Sequence, residues 1–175
     1  MAEPADNYVP VNIAKHFRSQ AFKVWGVTVA IVFLWVFAIV LAPLALTNGW
    51  SVSSPIYKFF GYICHQLPDR SLDFDAHPLA VCSRCFGVYF GLFAGLIIYP
   101  LWRRIEEVEP LARFWLFLSL IPIGIDWSLT MFEIWENTHL SRFVTGLILG
   151  VACATFIIPA LVEIKRNISR RHFTL

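Results

Sequence analysis

Four stretches of the chain are apolar over the length that crosses a bilayer, about 20 residues. They are Val24–Leu46, Phe86–Trp102, a segment from about Leu111 to Met131, and Phe143–Val162. The first carries no charge and bends or ends near Pro43, while the third holds one acid, Asp126. The second is short for a span and extends upstream into Cys82–Cys85, giving about 84–102. No repeat, low-complexity tract or long linker interrupts the pattern. It predicts an all-α integral membrane bundle of four transmembrane helices, read as a single membrane domain over 1–175.

Two amphipathic segments flank the spans. Residues 11–23 place Ala14, Phe17 and Ala21 on one side and Lys15, Arg18 and Lys23 elsewhere, which suits a short helix on anionic headgroups. Ser54-Pro55 reads as a helix start, with Ser as cap and Pro in the first turn. That short interfacial helix carries Ile56, Phe59, Phe60 and Ile63 and delivers Cys64-His65 before Pro68 stops it.

Composition turns the pattern into a class. The chain is 58% apolar and only 15% charged, with a mean hydropathy of +0.64, against roughly 45–50% and 25% in soluble domains. A soluble globule of 175 residues has too little interior for that much apolar surface. Those fractions exclude intrinsic disorder, a basic nucleic-acid-binding domain and an acidic tail, and a net charge of +2 is too small to imply a polyanionic partner. The first apolar run is too long and starts too late for a cleaved signal peptide.

Charge then sets orientation. Ten of the fourteen Lys and Arg fall before the first span, around the second connection, or after the fourth span. By the positive-inside rule both termini are cytoplasmic, in a multi-pass protein of the inner (cytoplasmic) membrane. The loop 47–83 and the connection 132–141 lie outside, and the sequon Asn167-Ile168-Ser169 falls on the inner side.

The outer loop concentrates the chemistry. Cys64, Cys82 and Cys85 fall within 22 positions, with His65 adjacent to the first and His77 between. A C-x-x-C pair at a helix start turns both sulfurs toward one point, and the helix N-terminus favours the thiolate. Tetrahedral zinc accepts Cys64, Cys82 and Cys85 with His65 or His77 as fourth ligand, and iron also suits sulfur-rich ligation. A redox-active or plain structural disulfide uses the same residues in an oxidising compartment. Cys153, among Gly150, Ala152 and Ala154, reads as a packing residue, and His16 and His172 as solvated faces.

A second constellation lies nearby. Asp126, Thr130, Glu133 and Asn137 are spaced i, i+4, i+7, i+11, so one continuous helix lines them on a single face. Arg142, which opens the fourth span, is the expected partner of Asp126 or Glu133. Arg84 precedes a face of Gly87, Gly91 and Gly95 that permits close helix approach. Charges at membrane depth face a bundle interior or wet cavity. Asp126, Glu133, Arg84 and Arg142 are therefore the candidate catalytic residues of a polar outer cavity, and an ion pair capping the bundle is the structural alternative.

These residues carry a resemblance. Cys64-His65-Gln66-x-Pro68-x-Arg70-Ser71, followed by Cys82-x-Arg84-Cys85-x-Gly87, resembles a family of small bacterial and archaeal predicted membrane proteins of unknown function. Asp126, Glu136-Asn137, Arg142, Thr145 and Gly146 are similar to its acidic helix and the segment after it, and the match spans roughly 57–151. Trp127 departs from the Gly expected after the acid. The resemblance implies a multi-span fold and brings no activity.

Three functions follow from the site. The first is a metal-dependent protein, zinc-like, acting on a lipid or lipid-linked headgroup. The second is a quinone-linked thiol-disulfide oxidoreductase, against which the odd outer cysteine counts, because such relays use a second pair. The third is a non-catalytic subunit or assembly factor.

Overall fold

A computed structural model describes the backbone of residues 11–173 and the side chains of 15–169. Five α-helices follow in order: α1 (Val11–Thr47), α2 (Ser53–Gly61), α3 (Ser83–Trp102), α4 (Arg113–Met131) and α5 (His139–Phe173). Between α2 and α3 lie a single 3-10 turn, Pro68–Arg70, and a two-residue hairpin of β1 (Asp73–Phe74) with β2 (His77–Pro78). α1, α3, α4 and α5 are each long and apolar enough to cross a membrane. The architecture is the expected all-α membrane bundle.

The elements differ from expectation at their ends. Residues 11–23 do not form a separate surface helix; they are the first turns of α1, which runs 37 residues through Pro43. Ala21 explains the continuity, since it is 1% exposed in a core cluster with Leu96, Tyr99, Ala154 and Val162. α5 likewise continues past Val162 through the basic tail. His16 is exposed, and the side chains of Ala14, Arg170, Arg171 and His172 lie outside the described residues. α2 begins one residue before Ser54, and Ser53 uses its hydroxyl to bond Ala42 O at 3.0 Å. It ends at Gly61, well before Pro68.

Successive spans run antiparallel, so the bundle has two distinct ends. α1 begins where α3 and α5 finish, as Arg18–Glu106 (3.8 Å) and Arg166 Nη2 to Glu106 O (2.6 Å) show. The opposite end gathers α2, the hairpin and the starts of α3 and α5.

The tightest packing joins α3 to α5. Gly87 and Gly91 lie against the carbonyls of Phe143 and Leu147, and Gly146 and Gly150 against those of Arg84 and Val88. A Cβ at any of these four would overlap a backbone oxygen, and one at Gly95 would meet Ala154 Cβ at 2.9 Å. The glycine face therefore serves within the chain. α1 is tied in by the Trp25 indole, which donates to Leu96 O at 2.8 Å. α4 lies at the edge, with Phe114, Trp115, Phe117, Ile121 and Ile125 all exposed. In a bilayer those side chains face lipid rather than water.

Candidate functional site

The cysteine turn is built by hydrogen bonds around the short loop. Cys64 follows α2 by one further turn, its N–H donating to Phe60 O at 2.9 Å. Gln66 then takes a left-handed backbone, φ +49°. Its amide donates to Tyr57 O at 2.7 Å and Ala80 O at 2.8 Å, clipping α2 to the strand that leaves the hairpin. The hairpin turns through Asp75 and Ala76, both at positive φ (51° and 61°), as a two-residue loop requires. Tyr57 Oη donates to Pro78 O. Trp35, Phe60 and Tyr89 stack edge-on beneath, with centroids 5.3–5.7 Å from Trp35.

This framework brings three sulfurs together. Cys82 caps α3 with an extended backbone (φ −65°, ψ 158°), and Cys85 follows in the first turn. The Cys82 N–H donates to Cys64 Sγ at 3.2 Å. The Sγ atoms of Cys64, Cys82 and Cys85 all lie within 4.8 Å of one another. Sulfurs sharing one tetrahedral ion stand about 3.5–4 Å apart, so the three cysteines are close enough to bind a metal. The Cys82 thiol is lowered to about 5, first by a hydrogen bond from the Cys85 thiol and then by backbone N–H groups of Cys85 and Arg84, against the opposing effect of burial.

The histidines lie apart from the sulfurs. His65 is exposed and lines the same cavity of about 320 Å³ as the cysteines, Gln66, Leu67 and Arg70. Its ring is outside the sulfur cluster, as is that of half-buried His77 on β2. Cys153 is remote on α5, within the bundle.

Arg84 lies between the two helix-start cysteines and points the other way, to α4. Its guanidinium Nη2 pairs with Asp126 Oδ2, the two side chains being 26% and 11% exposed. Asn137 closes the same carboxylate, its Nδ2 donating to Asp126 Oδ2 at 2.6 Å and to Asp126 O at 2.8 Å. Thr130 donates to Asp126 O at 3.2 Å.

Two expectations about this constellation are corrected. Asp126, Thr130, Glu133 and Asn137 do not share a continuous helix, because α4 stops at Met131 and Glu133 is at φ +54°. Asn137 reaches Asp126 by folding back, while Glu133 is exposed. Arg142 is not the partner of Asp126; Arg84 is. The α3–α5 glycine contact presses the Arg84 backbone against Gly146 and leaves its side chain free to cross to α4. Arg142 has no acid within 4.0 Å among the described residues.

Three residues absent from the candidate list organise the site. Gln66 braces the cysteine loop. Ser83 Oγ donates to Arg70 O at 3.0 Å and lies 3.0 Å from His139 Nδ1, which joins the loop, α3 and α5. Asn137 supplies the second hydrogen bond to Asp126. Gln66 and Asn137 lie within the quoted motifs, whereas Ser83 and His139 carry no spacing signal.

Known proteins place the chain among relatives without assigned activity. An uncharacterized protein of Methanocaldococcus jannaschii is 35% identical over 118 residues, 67% of this chain and 76% of that protein. One of Methanothermobacter thermautotrophicus is 37% identical over 97 residues, 54% of this chain and 84% of that protein. No solved structure matches. The model of the family described as predicted membrane protein (DUF2085) matches residues 64–156, from the first outer cysteine through the glycine contact of α5. With four apolar spans folded around that segment, the chain is a multi-pass membrane protein and belongs to the DUF2085 family.

Proposed function

We propose that Cys64, Cys82 and Cys85 hold one zinc ion at the outer face of the inner membrane, with both termini cytoplasmic, beside a pocket that receives a lipid or lipid-linked headgroup. The convergence of three sulfurs from two separate elements at the mouth of one 320 Å³ cavity carries this reading. Zinc suits it because three thiolates are a soft, strongly charged donor set. Three thiolates and a divalent ion leave one negative charge, which Arg70 on the cavity wall offsets. A tetrahedral ion held by three sulfurs has one position left, for water, a fourth ligand or the substrate.

In this reading the other candidates divide the work. Asp126 is engaged by Arg84 and Asn137, so it orients the cysteine turn rather than moving protons. Arg70 and Arg142 are the cations left for an anionic headgroup. When bound, zinc supplies Lewis acidity toward a coordinated oxygen.

Anaerobic purification in detergent, with metal analysis by mass spectrometry and free-thiol titration, tests the proposal. The expected result is stoichiometric zinc, lost in Cys82→Ser/Cys85→Ser. A metal-free protein with a dithiothreitol-sensitive disulfide overturns it in favour of the thiol oxidoreductase, a reading that the acidic Cys82 thiol supports. Full cellular function in the cysteine variants removes any functional role for the metal and favours a non-catalytic subunit.

A further inference from the structure

The end of the bundle opposite the cysteines carries a second polar cavity, of about 410 Å³. Arg18 and Phe22 of α1, Pro100 near the end of α3, and Arg103, Arg104, Ile105 and Glu106 after it form the walls. Three guanidiniums therefore surround one carboxylate. Ile105, 4% exposed, plugs into the core beside Tyr99 and Val162 and holds Arg104 and Glu106 in place on either side. Arg166 of α5 secures the segment from behind by donating to Glu106 O at 2.6 Å.

The acids present do not satisfy these cations. Glu107 accepts from Arg103 Nε at 3.0 Å, but Arg103 Nη1 is buried with no hydrogen-bond partner. Glu106 reaches Arg18 only at 3.8 Å. Arg104 has no acid within 4.0 Å among the described residues. A charged N–H left without an acceptor is unfavourable, and an anion in the cavity would supply one.

We propose that this cavity binds the phosphodiester of an anionic phospholipid from the leaflet bordering the start of α1 and the end of α3. Guanidiniums match phosphate oxygens in geometry as well as charge. The lipid assignment comes from what adjoins the cations: Leu101 and Trp102 are 85% and 67% exposed, and Phe22 is 43% exposed. A ligand with an anionic head and apolar chains uses both surfaces, whereas free phosphate uses only the first. The proposal is independent of the metal site.

The test compares purified protein supplied with phosphatidylglycerol, phosphatidylcholine or inorganic phosphate, read by native mass spectrometry and thermal unfolding. Phosphatidylglycerol should remain bound and raise the midpoint, and the other two should not. Arg103→Gln/Arg104→Gln should weaken that binding by more than about tenfold, since a single charged hydrogen bond is already worth about that factor and two guanidiniums are lost. Arg113→Gln, which removes one charge at the start of α4 outside the cavity and so matches Arg104→Gln, should not. Glu106→Gln should tighten it by removing the competing carboxylate. If the double variant misfolds through loss of the Glu107 contact, Arg104→Gln alone carries the comparison. Equal weakening by Arg113→Gln reduces the effect to general surface charge and overturns the site. Equal stabilisation by phosphatidylcholine removes the need for an anionic lipid, and stabilisation by inorganic phosphate alone removes the need for a lipid. Either overturns the proposal.

Discussion

Arg84 and Asp126 join the cysteine-bearing turn of α3 to the end of α4, and theirs is the ion pair between those two helices among the described residues. α4 otherwise packs on α5 and exposes most of its large apolar side chains. The pair therefore fixes an edge helix to the candidate metal site. Asn137 adds a neutral donor to the same oxygen, so the carboxylate is satisfied from two elements.

A double-mutant cycle with Arg84→Gln and Asp126→Asn measures that link. Breaking a fully buried pair costs roughly 3–5 kcal/mol. With a quarter of the Arg84 side chain exposed, a coupling of about 2 kcal/mol is expected. Denaturant unfolding in detergent reads it, and additive single effects contradict the pairing. Asn137→Asp should destabilise more than Asn137→Ala, because it places a second carboxylate against the first.

The glycine stripe makes an opposed pair of forecasts. Gly91→Ala or Gly150→Ala drives a methyl into a facing carbonyl, and should cost about 1–3 kcal/mol through helix separation. Gly26→Ala and Gly124→Ala meet nothing within 4 Å. They should be neutral or stabilising by about 0.5–1 kcal/mol through helix propensity. Thermal unfolding of the four single variants decides it, and equal effects at all four positions defeat the packing assignment.

Cobalt substitution separates the ligands from their neighbours. Cys64→Ser, Cys82→Ser or Cys85→Ser should each weaken cobalt binding and lower the thiolate-to-cobalt absorption by about a third or more, while Cys153→Ser leaves it intact. His65→Ala should weaken binding less than any of the three, because its ring stands outside the sulfur cluster. A His65 effect as large as a cysteine effect makes it a direct ligand.

Thiol reactivity in metal-free protein should follow the lowered Cys82. A depressed pKa leaves the thiolate populated at neutral pH, so iodoacetamide alkylation of Cys82 should stay flat as pH falls from neutrality. It should drop about tenfold per unit only below about 5. An ordinary thiol already loses rate below about 8.5. Mass-spectrometric mapping across that range checks both the order of labelling and the midpoint, and a fall beginning near 8.5 contradicts the lowered value.

Much of the site was legible and some of it for the wrong reason. Cys82 and Cys85 at a helix start follow from spacing alone, because three residues return a side chain to the same face of the first turn. The spacing of Asp126 and Asn137 predicts one continuous helix, yet they meet through a fold-back. That turn contains Phe132, Ile134 and Trp135 rather than Gly or Pro, so nothing in its composition announced the end of α4. By position in the chain Arg142 is the natural partner of the acid, because it opens the next span. The choice of Arg84 depends on the direction in which α3 presents its first turn once Gly146 has admitted its backbone.

The amino-acid sequence by itself determined the membrane class, the four spans and the position of the cysteines at the start of α3. These are local properties: apolar length sets whether a segment spans, and spacing sets which side chains share a helical turn. Only the tertiary structure decided that Cys64 joins Cys82 and Cys85 while His65 does not, and that Arg84 takes Asp126. Those choices depend on which backbones approach most closely, and here glycines facing carbonyls, with one amide brace at Gln66, set the approach.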